Sequence, residues 1–158
     1  MDEMKLTKFE KFSDGCSKKL PDLIDKILQN NPERKVSAIG FITVDDFYGF
    51  YVTWDDTNRE INTYYDWKPG LNPDFLYQPL VDVVDSCKEI DFTMPSDEKW
   101  EFAEALLTVL EKNIKQIPDE IFHKNNYRRD DICFFATMEG DYTQEMLDAS
   151  IKMFNDHL

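Results

Sequence analysis

The stretch that decides the fold runs from residue 36 to residue 54 and reads VSAIGFITVDDFYGFYVTW. Its first half is a nearly continuous apolar run, which predicts a strand with the buried residues Val36, Ile39, Phe41, Ile42 and Val44. Its second half alternates, which predicts a second strand with an inner face made of Tyr48, Phe50, Val52 and Trp54. The short acidic turn Asp45-Asp46-Phe47 separates the two strands, so the stretch predicts a β-hairpin.

The alternation in the second strand also predicts what its outer face carries. With Phe50 and Trp54 directed inward, Tyr51 and Asp55 would lie near each other on an exposed face of the sheet. An amphipathic ring close to a carboxylate is the kind of element that contacts a lysine- or arginine-rich partner.

Four stretches have apolar residues at helical spacing and predict helices. They run from about Cys16 to Asn30, from Pro79 to about Cys87, from Ser96 to Ile117, and from about Met146 to Leu158. The apolar residues between 6 and 12 either extend the first helix backwards or form a separate turn. In the third helix Ser96 is a suitable N-cap, and the proline at position 118 ends the helix.

The remaining segments complete an α+β domain. A strand from Ile132 to Met138 is hydrophobic enough to be predicted in the centre of its sheet. Residues 61–67 fit a third strand or a short helix, residues 68–73 a loop, and residues 119–130 a loop with one turn of helix at its start. The chain therefore predicts a single domain over residues 1–158, with a small, mostly antiparallel sheet, the hairpin at its centre, and about four covering helices.

The charge is unevenly distributed along the chain. The formal net charge is −14, and residues 41–98 contribute −10 of it, with thirteen acidic residues against three basic ones. Such a field repels nucleic acids and anionic lipids and attracts cationic proteins. The sequence has only one pair of neighbouring arginines, Arg128-Arg129, and Asp130-Asp131 follow it directly. We therefore expect no nucleic-acid or membrane partner, although acidity that serves only solubility remains an alternative.

The sequence contains no known catalytic or metal-binding motif. Its two histidines, His123 and His157, have no metal-ligand spacing, and its five glycines form no phosphate-binding loop. Four turn carboxylates, Asp45, Asp46, Asp55 and Asp56, lack the pattern of a calcium loop. We predict no catalytic residue, no metal and no cofactor. The start of the chain is not typical of a signal peptide, no apolar run is long enough to span a bilayer, and the three cysteines have no CxxC spacing, so we expect a cytoplasmic protein.

Acids and aromatic rings alternate within the acidic region, as in Tyr64-Tyr65-Asp66-Trp67. Tyrosine and tryptophan are enriched at protein interfaces, where they act as desolvated anchors. The candidate partner-binding residues are Asp45, Asp46, Tyr51, Asp55, Asp56, Tyr64, Asp66 and Trp67.

The second half of the chain resembles a bacterial family of domains of unknown function. The resemblance rests on Phe102–Leu107, Ile121-Phe122, the segment RDDICFFA at 129–136 and the segment SIKMFN at 150–155, and more loosely on Ala38–Trp54 and 65–69. In that family an R-x-D motif leads into a hydrophobic strand, and a helix ends near an S-x-x-x-x-N motif. The resemblance implies a small cytosolic α+β protein without known catalytic residues. Some similar small acidic proteins are encoded beside secreted polymorphic toxins and are taken to be immunity proteins.

These observations lead to three functional hypotheses. The first is a non-catalytic binding protein that neutralises a cationic, possibly nuclease, toxin domain by covering its active site. The second is a regulatory or stress-related adaptor that binds another cellular protein. The third is a hydrolase that uses carboxylates, which requires a deep pocket holding an acid with a strongly shifted pKa.

Overall fold

The computed structural model describes residues 3–30, 36–55, 61, 64, 67 and 70–156. In chain order the elements are α1 (Glu3–Lys8), α2 (Glu10–Gln29), β1 (Ala38–Val44), β2 (Phe50–Asp55), β3 (Gly70–Leu71), α3 (Asp74–Ser86), α4 (Asp97–Lys115), α5 (Asp119–His123), β4 (Cys133–Glu139) and α6 (Thr143–Phe154). None of the helices in these ranges is long and apolar enough to cross a lipid bilayer.

The strands form one mixed sheet in the order β3-β2-β1-β4. β1 and β2 are antiparallel, with Phe41 opposite Val52, and β3 adds a short antiparallel pairing on the far side of β2. β4 runs parallel to β1, with Ala136 beside Phe41. The predicted α+β class, the hairpin and the mostly antiparallel sheet are confirmed.

Both faces of the sheet are covered, so the protein has two apolar cores. The larger core lies between one face and the helices, and the ring of Phe102 on α4 contacts three other rings there, Phe9 at 5.2 Å, Phe47 at 4.8 Å and Phe92 at 5.0 Å between centroids. The smaller core covers the opposite face and consists of Ala38, Ile42, Tyr64, Trp67, Phe135 and Leu147. The central strand β1 is consequently buried along nearly its whole length.

A glycine makes the smaller core possible. Gly40 on β1 lies beside Phe135 on β4, and a Cβ atom at position 40 would overlap the Phe135 ring. Because Gly40 has no side chain, the tip of the ring fits against the strand, where Trp67 meets the ring edge-on at 5.6 Å and Tyr64 lies tilted to it at 6.2 Å.

The ends of several elements differ from the sequence predictions. The helix expected from about Cys16 already starts at Glu10 as α2 and contains Pro21, while residues 3–8 form the separate α1. α3 starts at Asp74, five residues before Pro79, because Pro73 provides the extended N-cap; Pro79 is the sixth residue of the helix and has no N–H to bond the carbonyl one turn earlier. Within the predicted loop 68–73, Gly70–Leu71 pairs with β2. The choice between strand and helix for residues 61–67 falls largely outside the described residues.

β4 lies at the edge of the sheet, and its predicted central position is wrong. The strand is apolar because α6 covers both its exposed edge and parts of its two faces, with Met146 and Phe154 in the larger core and Leu147 in the smaller one. A covered edge strand is as buried as a central one, so its composition does not distinguish the two positions.

Arg129, from the R-x-D motif, joins three parts of the fold. Its guanidinium donates to Asp119 Oδ1 at 3.1 Å, to the carbonyl of Ile114 at 3.0 Å and to the carbonyl of Ile117, and it lies 4.7 Å from the centre of the Phe122 ring. Ile114 lies in the last turn of α4, where its carbonyl also accepts the backbone N–H of Ile117, and Ile117 itself lies two residues beyond the helix. The arginine of the motif therefore has a structural role.

Replacing Gly40 with alanine should destabilise the protein strongly. The added methyl group has to displace the Phe135 ring from a packed core, which should lower the free energy of unfolding by about 2–3 kcal/mol. Gly49→Ala is the control, since its Cβ would meet Val44 at an ordinary 3.4 Å. Urea denaturation of both variants measures the difference, and equal stability of the two would contradict the proposed packing.

Two neighbouring arginines give a second test. Arg129→Ala should lower the free energy of unfolding by about 2–3 kcal/mol, because charged hydrogen bonds to carbonyls at the end of α4 are lost. Arg128→Ala should change it by less than about 0.5 kcal/mol, since the Arg128 side chain is 81% exposed and its ion pair with Asp131 spans 3.8 Å, while the closer bond to Asp131, at 2.8 Å, comes from the backbone N–H that alanine keeps. Thermal unfolding with equal losses for both variants would refute the role of Arg129.

Candidate functional site

Of the eight residues predicted to bind a partner, the six that the structure describes do not form one exposed group. Asp45 and Asp46 are exposed in the turn between β1 and β2. Tyr51 is half-buried, and its hydroxyl donates to Glu139 Oε1 at 2.8 Å. The other described members are buried: Asp55 is 2% exposed, Tyr64 7% and Trp67 6%. Asp56 and Asp66 lie outside the described residues.

The prediction that Tyr51 and Asp55 lie on an exposed face is wrong, because the smaller core covers that face. The alternation along β2 correctly separates the two faces, but the face that carries Tyr51 and Asp55 is covered by Tyr64, Trp67 and residues of α6. Asp55 also pairs with Ala38 at the far end of β1, whereas Asp45 and Asp46 follow the other end of that strand. Six residues of strand, about 20 Å, separate them.

In the turn between β1 and β2, Phe47 is buried and Tyr48 is exposed, although the sequence predicted that Tyr48 faces inward. Phe47 has a φ of 62° and is fully buried among Phe92 and Phe102. Asp46 stabilises the turn, because its Oδ1 accepts the backbone N–H of Tyr48 at 3.0 Å. Tyr48, predicted to face inward, is therefore 45% exposed. The apolar Phe47 takes the buried position, and the hydroxyl-bearing Tyr48 stays at the surface.

Tyr48 is part of a group that we call the acidic tyrosine surface, defined by Asp46, Tyr48, Tyr77 and Asp85. The Tyr48 hydroxyl donates to Asp85 Oδ1, which joins the turn to α3. This hydrogen bond raises the pKa of Tyr48, and partial burial and the nearby Asp85, Asp46 and Tyr77 raise it further. Tyr77 is 43% exposed and lies about two helical turns before Asp85 on α3. Two exposed rings thus lie beside two exposed carboxylates.

A second acidic group adjoins this surface at the ends of β1 and β4. Lys99, fully buried at the start of α4, forms an ion pair with Asp141 at 3.1 Å. The backbone N–H of Asp141 donates to Asp45 Oδ1 at 2.7 Å, so Asp45 is bound to the turn after β4. Gly140, with a φ of 140°, permits this approach, because a Cβ atom there would overlap the Asp45 carboxylate. The buried Lys99 therefore holds Asp141, and Asp141 in turn binds Asp45, so that the two acidic turns are linked.

The surroundings contain few cations that could neutralise these acids. Between residues 70 and 98, Lys88 is the single basic residue in the sequence. The one lysine shown to contact the acidic turns, Lys99, is inaccessible. Asp91 extends the acidic area, and hydrogen bonds from the side chain and backbone of Thr93 lower its pKa. The acidic turns and Asp91 are consequently an area of negative charge at this end of the sheet, and Lys8 lies next to it at the end of α3, where its Nζ donates to the carbonyl of Ser86 at 3.3 Å.

Two carboxyls and two thiols among the described groups have pKa values shifted in the direction opposite to the one that acid or nucleophilic catalysis would need. A carboxyl that acts as general acid needs a raised pKa, whereas hydrogen bonds lower the pKa values of Asp25 and Asp91. Burial raises the pKa of Cys16 to about 12 and that of Cys133 to about 11, so these thiols are not nucleophilic thiolates at neutral pH. A groove of 420 Å³ between the start of α2 and the middle of α4 contains none of the shifted groups. Within the described ranges no three His, Cys, Asp or Glu side chains are placed to hold a metal ion.

Sequence reasoning missed two members of the surface, Tyr77 and Asp85, and assigned Tyr48 to the core. The signal in the sequence was the helical spacing of Tyr77 and Asp85, eight residues apart on one face of α3. For Tyr48 the signal was its neighbour Phe47, which has the same ring without a polar atom to hydrate.

The ion pair of Lys99 predicts an asymmetric response to mutation. Asp141→Ala leaves the buried ammonium without its partner and should lower the free energy of unfolding by about 3 kcal/mol. Lys99→Met removes the buried charge, and Asp141, whose side chain is 28% exposed, can be hydrated, so the loss should be nearer to about 1 kcal/mol. Chemical denaturation of both variants tests this order, and a larger loss for Lys99→Met would contradict it.

Comparison with known proteins adds no relative: no family model matches the chain, and neither a curated protein nor a solved structure matches it significantly. The likeness to a bacterial family of unknown function stays a prediction.

Proposed function

We propose that this protein is a non-catalytic binding protein that recognises a basic protein through the acidic tyrosine surface. The observation that carries the proposal is the position of Tyr48 and Tyr77, two of the few large apolar side chains that are exposed among the described residues, beside Asp46 and Asp85. Exposed tyrosines supply contact area with little loss of conformational freedom, and tyrosine is enriched among the residues that dominate binding energies.

The charge distribution supports a cationic partner. Carboxylates beside the rings can accept hydrogen bonds from lysine or arginine, and charged bonds of this kind are stronger than neutral ones. The net charge of −14 adds a long-range attraction that raises the rate of association with a basic protein. Asp45 and Asp141 extend the negative field. Lys99 holds Asp141, and Asp45 accepts the backbone N–H of Asp141, so both turns are held in position.

Within this class we propose an immunity protein that neutralises a cationic toxin domain. A nuclease binds phosphate with lysines and arginines, and an ordered group of surface carboxylates offers those side chains a similar field. The resemblance to small acidic proteins encoded beside toxins supports the same proposal. A cytoplasmic location follows from it, and free cysteines at positions 16, 87 and 133 are compatible with a reducing compartment. A regulatory adaptor would use the same surface, and the identity of the neighbouring genes distinguishes the two.

The test is binding to the product of the neighbouring gene, with charge reversal on and off the surface. Asp85→Lys should weaken the complex by about 100-fold, because it removes an acid, adds a like charge to that of the partner and breaks the contact with Tyr48. Glu120→Lys, an identical charge change at an exposed position on α5, should weaken it less than about threefold. Calorimetry at low and high salt measures both effects.

Three outcomes separate the proposals. Binding together with protection of cells against the toxicity of the neighbouring product supports the immunity function. Binding to a basic protein without protection supports the adaptor and contradicts the immunity function. A complex that Asp85→Lys and Glu120→Lys weaken equally, or no complex with a basic protein, refutes the proposed surface.

A further inference from the structure

One face of α3 and the turn between β1 and β2 together form the acidic tyrosine surface. Tyr77, Val81 and Asp85 are spaced four residues apart on α3, so they follow one another along one face of the helix. Tyr48 reaches this face from the turn, because its hydroxyl donates to Asp85 Oδ1. Tyr77 is near enough to Tyr48 to contribute to its raised pKa. The two exposed rings therefore belong to one area, with the half-buried Val81 between Tyr77 and Asp85.

The contact with Asp85 prepares the Tyr48 ring for a cation. A phenol that donates its proton to a carboxylate gains electron density in its ring, which strengthens the attraction between the ring face and a positive charge. The same contact restricts the Tyr48 side chain before a partner arrives, which lowers the entropy lost on binding. Asp46 holds the backbone of the same residue through its 3.0 Å bond to the Tyr48 N–H. Tyr48 is thus held at both ends although it is 45% exposed.

Both carboxylates of the surface keep an oxygen atom for a ligand. The bonds to Tyr48 use Asp85 Oδ1 and Asp46 Oδ1, and no donor in the described part of the chain bonds the Oδ2 atom of either residue. The neighbouring Lys8 donates to the carbonyl of Ser86, so its ammonium is engaged by the backbone at the end of α3. A donor from another molecule would therefore meet two carboxylate oxygens beside two exposed rings.

Building on the proposed function, we propose that the basic partner supplies an arginine, whose guanidinium packs on the Tyr48 ring and donates to the carboxylate of Asp85. Charge alone would attract lysine and arginine equally, and the rings decide between them. A guanidinium is planar, so it stacks on a ring with its face and donates to a carboxylate with its edge, whereas the ammonium of lysine is a compact, strongly hydrated charge. Arginine also makes cation–π contacts more often than lysine.

Two peptides of equal length and charge, blocked tetra-arginine and blocked tetra-lysine, test the choice of side chain. Amide shifts of the isotope-labelled protein, followed by NMR during titration, give the position and the dissociation constant of each peptide. We expect shifts centred on Tyr48, Tyr77 and Asp85. The dissociation constant should be at least about fivefold lower for tetra-arginine, which is the size of one exposed cation–π contact.

Variants of the two contact residues separate the ring from the charge. Tyr48→Leu removes the ring and keeps both carboxylates, so the two peptides should bind within about twofold of each other. Asp85→Asn should weaken tetra-arginine by about fivefold and tetra-lysine by about twofold, because the guanidinium loses a charged hydrogen bond that the ammonium does not need. Glu120→Gln, the same loss of charge at an exposed position on α5, is the matched control and should leave the arginine preference unchanged.

The outcomes distinguish this inference from the proposed function. An arginine preference that Tyr48→Leu abolishes and Glu120→Gln preserves supports it. Equal affinity of the two peptides, or a preference that Tyr48→Leu leaves intact, overturns the arginine contact while the acidic surface still stands. Failure of both peptides to bind also overturns it, and binding of the neighbouring gene's product then decides the proposed function separately. If Tyr48→Leu does not fold, Asp85→Asn decides, and an equal loss for both peptides overturns the inference.

Discussion

The contact between the Phe135 ring and the bare backbone of Gly40 determines how the rest of the sheet is arranged. It brings a large ring against the central strand on the face away from the main helical core, and Tyr64, Trp67 and Leu147 pack on that ring. A sheet covered on one face could expose polar residues on the other, but here the second face is occupied. Any surface for a partner has to lie at the ends of the strands or on the helices.

The elements predictable from sequence were those that depend on short-range patterns. Ser96 does cap α4, since its Oγ accepts the backbone N–H of Lys99 at 3.1 Å, and the hairpin forms where the acidic turn interrupts two apolar runs. The start of α3 was misplaced because proline is common both at the first position of a helix and within its early turns, and local composition does not separate the two.

The errors at the site have a different origin. Burial of Asp55 and Trp67 depends on contacts between segments that are far apart in the chain, and the alternation along β2 contains no information about what covers each face. The exposure of Tyr48 depends on a backbone conformation with positive φ at Phe47, which non-glycine residues adopt only when the surroundings compensate for it. Here the compensation is the packing of Phe47 against Phe92 and Phe102. The acidic, tyrosine-rich character was predictable, whereas the identity of its exposed members was not.

The motif residues and the residues of the acidic tyrosine surface have separate roles, and the turn after β4 connects the two. Arg129 supports the end of α4, and Ser150 and Asn155 bond the outer edge of β4, so these three motif residues stabilise the fold and none of them belongs to the acidic tyrosine surface. The turn after β4 links the two roles: Asp141 is held by Lys99 and Asp45, and two residues later Thr143 begins α6 and donates to the carbonyl of Met138. Because one short turn both orders the acidic end of the sheet and positions the helix that closes its edge, a substitution in it should disturb both features together. Substitutions in Ser150 or Asn155 act on the edge alone, which makes the two properties separable by experiment.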